Sequence, residues 1–256
     1  MIQQRTKYYF VSDVHLRPSA PDAHIPEERF LSFLESVEQD AVAIYLLGDI
    51  FDYWYEYKYT IPRGYTRVLG KLAQLVDRGV KIYFTPGNHD VWSYNYFEQE
   101  IGIEVFDQPH FVSISGKKFC LGHGDGLGYT ALGFSILRYI FHNKFIQKLY
   151  SAIHPRWSFA LGYAWSAHSR NRKKKNLDFV HTFKGCDEPI YKYAVEIASE
   201  KDVDCFVFGH FHTPTQQILP GGEKFFILGE WSLSGEYLVY DSSDNSLVLR
   251  KVVFGA

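Results

Sequence analysis

The chain has 256 residues, of which 46% are hydrophobic and 22% charged, a composition that excludes an extensively disordered protein. Its formal net charge is -2, and its three cysteines, Cys120, Cys186 and Cys205, form no CxxC pair, which excludes a disulfide framework and a zinc-thiolate site. No run of about 18 uncharged apolar residues is present, so we expect no membrane-spanning helix. We expect one catalytic domain over residues 1–256. Because residues 1–7 lack a signal-peptide pattern, we expect a cytoplasmic protein.

Six short apolar runs, each ending at a glycine or a polar cluster, predict buried strands at residues 8–11, 42–47, 81–84, 118–121, 205–208 and 225–228. Amphipathic helices are predicted at residues 26–39, 63–76 and 188–200, the last with Asp187 as its N-cap. Strands that alternate with helices indicate an α/β layered fold. Residues 224–253 are rich in strand patterns, and we expect them to form a second sheet packed against the first.

The segment at residues 129–183 interrupts this alternation. Two long helices are predicted there, at residues 130–151 and 155–175, and we interpret them as a helical insertion over the catalytic layer. Residues 126–184 contain ten basic residues and a single acid, whereas the rest of the chain contains 17 basic and 28 acidic residues. The near-neutral total therefore conceals a basic patch on an acidic body, which indicates an anionic partner.

Five of the predicted strands are followed at once by polar groups that bind metals. The five groups are Asp13-Val14-His15, Gly48-Asp49-Ile50-Phe51-Asp52, Gly87-Asn88-His89-Asp90, Gly122-His123-Gly124-Asp125 and Gly209-His210-Phe211-His212. In open α/β sheets the carboxyl ends of the strands form the ligand crevice, so we expect these loops to converge. Any one motif is weak evidence, because Asp and Asn also cap turns and His212 alone could be a core histidine. All five in this order favour a metal site.

The residue types indicate which metal and which reaction to expect. Carboxylate, amide oxygen and imidazole without thiolate suit divalent ions such as Mn²⁺, Fe or Zn, of which we expect Mn²⁺. Two ions that share a carboxylate can clamp a phosphoryl group and activate water for attack. The sequence therefore predicts hydrolysis of phosphate esters.

This series of motifs resembles the calcineurin-like metallophosphoesterases over essentially the whole chain. The resemblance implies an αββα sandwich of two mixed β-sheets flanked by helices, with a helical lid insertion at about residues 129–183. It also implies two divalent ions that share the Asp49 carboxylate. The implied ligands are Asp13, His15, Asp49 and His212 for one ion, and Asp49, Asn88, His123 and His210 for the other. His89 would lie at the phosphate as a stabiliser or proton donor, oriented by Asp52.

Within that superfamily, the insertion, the motif spacing and the chain length resemble the branch that hydrolyses UDP-2,3-diacylglucosamine in lipid A synthesis. The resemblance implies a glycolipid nucleotide substrate, attack at the phosphorus nearer the uridine, and release of UMP and 2,3-diacylglucosamine 1-phosphate. The implied substrate-binding residues are Asn88, His89, Ser169, Arg170, Arg172, Lys173 and Asn176.

The lid insertion has the physical properties that such a substrate requires. Apolar residues recur at helical spacing from Phe134 to Leu149, Trp157 and Trp165 follow, and residues 170–175 form a basic cluster. A basic and aromatic amphipathic helix is typical of an interfacial binder, so we expect peripheral contact with the anionic inner face of the bacterial inner membrane. The alternative is ordinary packing of the apolar residues and a solvated helix end.

Two departures from the branch leave other substrates open. His89 stands where the best-known members carry Arg, and Lys173 and Asn176 change the order of the lid side chains. A relative acting on another lipid-linked or nucleotide diphosphate is therefore an alternative. So is a soluble nucleotide, protein or nucleic-acid phosphoesterase of the same superfamily. We expect neither nucleic acid nor an obligate protein partner, and the presence of both His89 and Asp52 disfavours a non-enzymatic scaffold.

Overall fold

The computed structural model of the protein describes residues 4–18, 20, 23–128, 132–175, 182–232 and 234–252, and for residues 134 and 168–175 it describes the backbone alone. Two mixed sheets account for the strands in these ranges. The first sheet has the order β11 (Ser246–Lys251), β10 (Glu236–Asp241), β1 (Lys7–Val11), β2 (Ala41–Leu47), β3 (Lys81–Thr85) and β4 (Glu104–Val105). The second has the order β5 (His110–Ile114), β6 (Lys117–Leu121), β7 (Cys205–Phe208), β9 (Lys224–Ile227) and β8 (Thr215–Ile218).

Six α-helices lie in the described ranges. They are α1 (His24–Ser36), α2 (Thr66–Asp77), α3 (Leu132–His142), α4 (Lys144–Ser151), α5 (Pro155–Lys175) and α6 (Pro189–Glu200). A π-helical turn at Phe97–Ile101 and a 3-10 turn at Gly185–Asp187 complete the described helical segments. Helices α1 and α2 pack on the first sheet, and α6 packs on the second.

The strand sequences explain the layers, because successive side chains of a strand point to opposite faces. In β1, Tyr9 and Val11 face the helical layer, whereas Phe10 lies between the two sheets. Phe10 stacks on Phe119 of the second sheet with ring centroids 5.4 Å apart. The sandwich of two mixed sheets flanked by helices is confirmed.

Parallel pairing brings six strand ends to one edge of the sandwich. Strands β1, β2 and β3 are parallel neighbours in the first sheet, and β6, β7 and β9 are parallel neighbours in the second. A main-chain hydrogen bond from Trp231 N to Asp13 O, 3.1 Å long, joins the loop after β9 to the loop after β1. The functional loops of both sheets therefore meet at this edge.

Three sequence expectations about local structure were wrong. Residues 236–251 do not extend the second sheet, because β10 pairs antiparallel with β1 and continues the first sheet. The predicted helix at 130–151 is broken at Asn143, whose Oδ1 accepts hydrogen bonds from Phe145 N and Ile146 N and caps α4. Asp187 does not cap α6, which begins after Glu188 with no side-chain cap, and Asp187 instead pairs with Lys192 at 3.2 Å.

The helices α3 to α5, which we call the lid, pack on the segment that follows β2. Tyr53 OH lies 2.9 Å from Tyr150 OH, and Tyr57 OH donates to the Ile153 carbonyl at 2.8 Å. Helix α5 approaches so closely that a Cβ on Gly162 would lie 2.2 Å from the Tyr53 ring. The segment that leaves the predicted metal site at Asp49 therefore also anchors the lid.

Gly162→Ala should separate the lid from the sandwich. A methyl group cannot fit against the buried Tyr53 ring, so we expect a destabilisation of about 1–3 kcal/mol in urea unfolding, with faster hydrogen exchange in α4 and α5. Gly133→Ala in α3 is the matched control, because its Cβ would meet no atom within 4 Å. We expect that change to be neutral or to stabilise by up to about 1 kcal/mol. Equal effects of the two substitutions would contradict the close packing of α5 on Tyr53.

Candidate metal centre

Backbone strain marks the predicted site. Seven non-glycine residues in the described ranges have positive φ, and five of them are predicted metal ligands. Their φ values are 55° at Asp13, 50° at His15, 53° at Asp49, 69° at His210 and 57° at His212. Such conformations cost roughly 1–3 kcal/mol each and persist where the surrounding structure enforces them, commonly at functional sites. The fold therefore maintains strain at the positions that the sequence motifs single out.

Two glycines allow the loops to approach the carboxylates. A Cβ on Gly87 would lie 2.4 Å from Asp49 Oδ1, and one on Gly209 would lie 2.5 Å from Asp13 Oδ2. No side chain fits at these separations, so glycine is required by close approach at both positions. The Gly residues of the Gly87-Asn88-His89-Asp90 and Gly209-His210 motifs thus serve packing around the site.

Asp13, His15 and His212 form one group of possible ligands. His212 Nε2 lies 3.2 Å from Asp13 Oδ1 and 3.3 Å from His15 Nε2. One ligand atom from each of the three residues falls within 4.8 Å of the others. The loops after β1 and β7 therefore converge as expected, and their donor atoms surround a common point.

Asp49, His123 and His210 form a second group of the same kind. His123 Nε2 lies 3.4 Å from Asp49 Oδ2 and 3.2 Å from His210 Nδ1. The same Asp49 oxygen lies 3.8 Å from His15 Nε2 of the first group. Asp49 is thus placed between the two groups, where a bridging ligand would lie.

The Asn88 side chain has a buried oxygen atom that is available to a metal ion. Its Oδ1 is buried and has no hydrogen-bond partner among the described residues. Burying an amide oxygen without a hydrogen-bond partner destabilises the fold by about 1–3 kcal/mol. A bound ion or water molecule that contacts the oxygen removes this cost. With carboxylates and imidazoles alongside, this donor set suits a divalent cation.

His89 contacts the main chain of Asp52, the residue that we expected to orient it. His89 Nδ1 lies 2.8 Å from the Asp52 carbonyl oxygen, and this contact directs Nε2 towards Asp49 Oδ2 at 4.0 Å. The Asp52 carboxylate instead accepts a hydrogen bond from Ser166 Oγ of the lid at 2.7 Å. Its other oxygen lies 3.7 Å from His15 Nδ1. The Asp52 side chain therefore joins the lid to the site.

Burial and neighbouring charges prepare these groups to bind a cation. Burial lowers the pKa of His15 to about 4 and that of His210 to about 3, so both imidazoles are neutral at physiological pH. Burial alone would raise the pKa of Asp49, but the His123 and His89 imidazoles lower it well below its usual range. His15 and His210 are thus in the neutral state that metal ligands need. Burial alone would lower the pKa of His123, but the Asp49 carboxylate raises it well above its usual range, so a metal ion bound at His123 would have to displace a proton.

Two site residues were missed from the sequence. Asp90, quoted in a motif but given no role, is fully buried and accepts hydrogen bonds from the backbone N–H groups of Gly87, at 2.7 Å, and Ile50, at 2.8 Å. It thereby ties the loop after β3 to the loop after β2. Glu230 follows β9 and contacts His212 Nδ1 at 2.8 Å. Its signal was present, since Gly229-Glu230 follows a predicted strand as the five motifs do.

The predicted lid contacts to substrate stay predictions. Ser169, Arg170, Arg172 and Lys173 lie on α5, where their side chains are outside the described residues. Asn176 lies outside the described residues altogether. In the described part of the lid, the aromatic residues divide into two sets. Phe159 and Tyr163 pack around Tyr53, whereas Trp157 and Trp165 are 66% and 57% exposed.

Comparison with known proteins agrees with this geometry. The chain is 39% identical to a UDP-2,3-diacylglucosamine hydrolase from Porphyromonas gingivalis, over 97% of this chain and 98% of the relative. It is 27% identical to a protein of the same name from Vibrio atlanticus, over 96% and 98% of the two chains. The fold also matches a dimetal phosphatase from Danio rerio with a TM-score of 0.50 at 11% identity, over 96% and 95% of the chains.

The family model for calcineurin-like phosphoesterases matches residues 6–214, which include all five motif loops. Enzymes of this family depend on metal ions, in keeping with the buried carboxylate, imidazole and amide donors. The resemblance expected from the motifs is confirmed: the chain belongs to the calcineurin-like phosphoesterase family and is a metal-dependent hydrolase.

Proposed function

We propose that the protein hydrolyses UDP-2,3-diacylglucosamine to UMP and 2,3-diacylglucosamine 1-phosphate at a centre of two divalent ions, with Mn²⁺ as the native metal. The observation that carries the proposal is the pair of donor groups that meet at Asp49 Oδ2. Relatives named UDP-2,3-diacylglucosamine hydrolase that align over nearly the full length of this chain support the choice of substrate.

Each residue of this centre would have a distinct role in metal binding or catalysis. Asp13, His15 and His212 would hold one ion, and Asn88, His123 and His210 the other, with Asp49 shared. Two bound ions supply positive charge for the phosphoryl oxygens and make water a better nucleophile near neutral pH. His89 would stabilise developing charge or donate a proton to the leaving phosphate, because its Nδ1 is held by the Asp52 carbonyl while Nε2 faces the centre.

The lid would receive the acyl chains and contact the membrane surface. Exposed apolar side chains recur along its three helices and along the turn between α4 and α5. They are Leu132, Ile136, Tyr139, Ile140, Phe145, Leu149, Ile153, Trp157, Leu161 and Trp165. Exposed cations alternate with them, as Lys144, Lys148 and Arg156 directly precede Phe145, Leu149 and Trp157. An exposed apolar surface bordered by cations is suited to an anionic interface.

We propose that this contact is peripheral. In the described parts of the chain, no helix is both long enough and apolar enough to cross a bilayer. We propose that the lid lies at the cytoplasmic face of the inner membrane, where a diacylated nucleotide would present its diphosphate to the strand-end loops. No nucleic acid or obligate protein partner is part of this proposal.

Hydrolysis in ¹⁸O-water tests the reaction and its position. Water attack at the phosphorus nearer the uridine breaks the bond to the bridging oxygen, so ¹⁸O should appear in UMP and not in the lipid phosphate. Mass spectrometry of both products, after reaction with Mn²⁺-loaded protein, shows which product carries the label. Label in the lipid phosphate would show attack at the other phosphorus. Equal turnover of the deacylated UDP-sugar would contradict a lipid-selective enzyme and favour a soluble nucleotide phosphoesterase.

The membrane contact predicts a loss of binding when the exposed lid tryptophans are replaced. Trp157→Ser and Trp165→Ser should each weaken partitioning onto anionic vesicles by roughly tenfold, because each removes a large apolar side chain from the interface. Sedimentation with phosphatidylglycerol vesicles measures the effect. Ile218→Ser is the matched control, since Ile218 is 69% exposed on a strand outside the lid. A similar loss in that control, or none in the lid variants, would contradict the proposed surface.

A further inference from the structure

The loop after β9 supports the first donor group from outside the set of proposed ligands. Glu230 Oε2 lies 2.8 Å from His212 Nδ1, while Nε2 of the same ring lies 3.2 Å from Asp13 Oδ1. One ring nitrogen of His212 thus faces a carboxylate and the other faces the candidate centre. With Nδ1 carrying the hydrogen and donating it to Glu230, Nε2 is left with a free lone pair for a metal ion.

Several contacts fix Glu230 in this position. Ser232 Oγ donates to Glu230 Oε1, and Arg29 Nη1 donates to the main-chain carbonyls of Trp231 at 2.7 Å and Ser232 at 2.8 Å. Trp231 is fully buried against Phe30 of α1, with ring centroids 5.4 Å apart. The Glu230 side chain itself is only 21% exposed. The Ser232 hydroxyl therefore holds the carboxylate together with His212, and helix α1 holds the loop that carries Glu230 and Ser232.

We propose that Glu230 is a positioning residue that fixes the ring orientation and tautomer of His212, and so sets the affinity of one metal ion and not the other. The inference rests on the proposed two-ion centre. It assigns the loop after β9 to the centre as a sixth strand-end loop. In the second donor group, His123 Nδ1 is paired with the Leu47 main-chain carbonyl at 3.0 Å, not with a carboxylate.

Titration of metal-free full-length protein with Mn²⁺ by calorimetry tests the proposal. Wild type should bind two ions. Glu230→Ala should weaken one of them by roughly 10- to 100-fold and leave the other within about threefold, the usual range for loss of an outer-shell partner. Glu230→Gln keeps an oxygen acceptor but loses the charge, so its affinity for the weakened ion should lie between those of wild type and Glu230→Ala. Glu223→Ala, at a glutamate near the start of β9, is the matched control and should bind as wild type.

A second readout does not depend on metal. Long-range ¹H–¹⁵N spectra of the histidine rings in metal-free protein should show one tautomer of His212, hydrogen on Nδ1, in wild type and a mixture in Glu230→Ala. Unchanged affinities and an unchanged His212 tautomer would overturn the inference. So would equal loss of both ions together with a large drop in the melting temperature in EDTA, which would make Glu230 a structural residue. If wild type bound no ion, the proposed centre would fail and the inference with it.

Discussion

Asp49→Asn should remove metal binding and nearly all activity while the fold persists. The amide has the same size and keeps an oxygen that accepts the hydrogen bond from His89 N, now 2.8 Å from Asp49 Oδ1. It loses the negative charge that lies beside His123 at 3.4 Å and His15 at 3.8 Å. Because that charge would be shared by both ions, we expect kcat/KM to fall by roughly a thousandfold or more.

Elemental analysis after dialysis measures the metal content directly. Wild type should retain two equivalents of Mn²⁺ and Asp49→Asn much less than one. Asp204→Asn is the matched control, since Asp204 precedes β7 of the second sheet, at the strand end remote from the ligand loops, and accepts a hydrogen bond from Lys118 N. Two ions retained at wild-type affinity in Asp49→Asn would show that Asp49 does not bridge the centre.

His89→Ala should lower kcat by roughly two to four orders of magnitude with little change in metal content. The expected effect is large because the imidazole would act on charge that develops in the transition state. Its Nδ1 contact to the Asp52 carbonyl, at 2.8 Å, holds the ring in place without using a metal-binding side chain. Single-turnover rates together with elemental analysis separate the chemical step from metal binding.

The control for His89→Ala is His24→Ala at the exposed first residue of α1, which should match wild type. Asp52→Asn should reduce kcat by about tenfold or less, because the main-chain carbonyl that holds His89 is unchanged and an amide oxygen can still accept from Ser166. Loss of metal in proportion to activity in His89→Ala would make His89 a ligand. That possibility has a structural basis, since His15, Asp52 and His89 also lie within cation-binding distance of one another.

The positions of the strands, and which of them are followed by ligand motifs, could be predicted from the local sequence pattern. Runs such as Cys205–Phe208 are wholly apolar and end at glycine, so their location and their link to a ligand motif are both visible in the sequence. The convergence of the loops followed from the rule that strand carboxyl ends share one edge. That rule holds without knowledge of which strand pairs with which.

The pairing itself could not be predicted in the same way. Strand β10 has the same apolar character as β9, but it joins β1 through contacts that span most of the chain, such as Tyr8 with Tyr240. Short edge strands such as β8, with Thr-Gln-Gln-Ile, have little apolar signal of their own. Glu230, which contacts the proposed metal ligand His212 but is not itself a proposed ligand, was missed because a single acid after a strand is common in turns.

Anomalous diffraction from crystals of the protein soaked in Mn²⁺ tests the central claim most directly, because it locates the ions without assuming any activity. The account predicts two peaks a few ångströms apart. One should be bound by Asp13, His15 and His212, the other by Asn88, His123 and His210, and Asp49 should contact both. A single peak, or a peak held by His15, Asp52 and His89, would contradict the two-ion centre proposed for this chain.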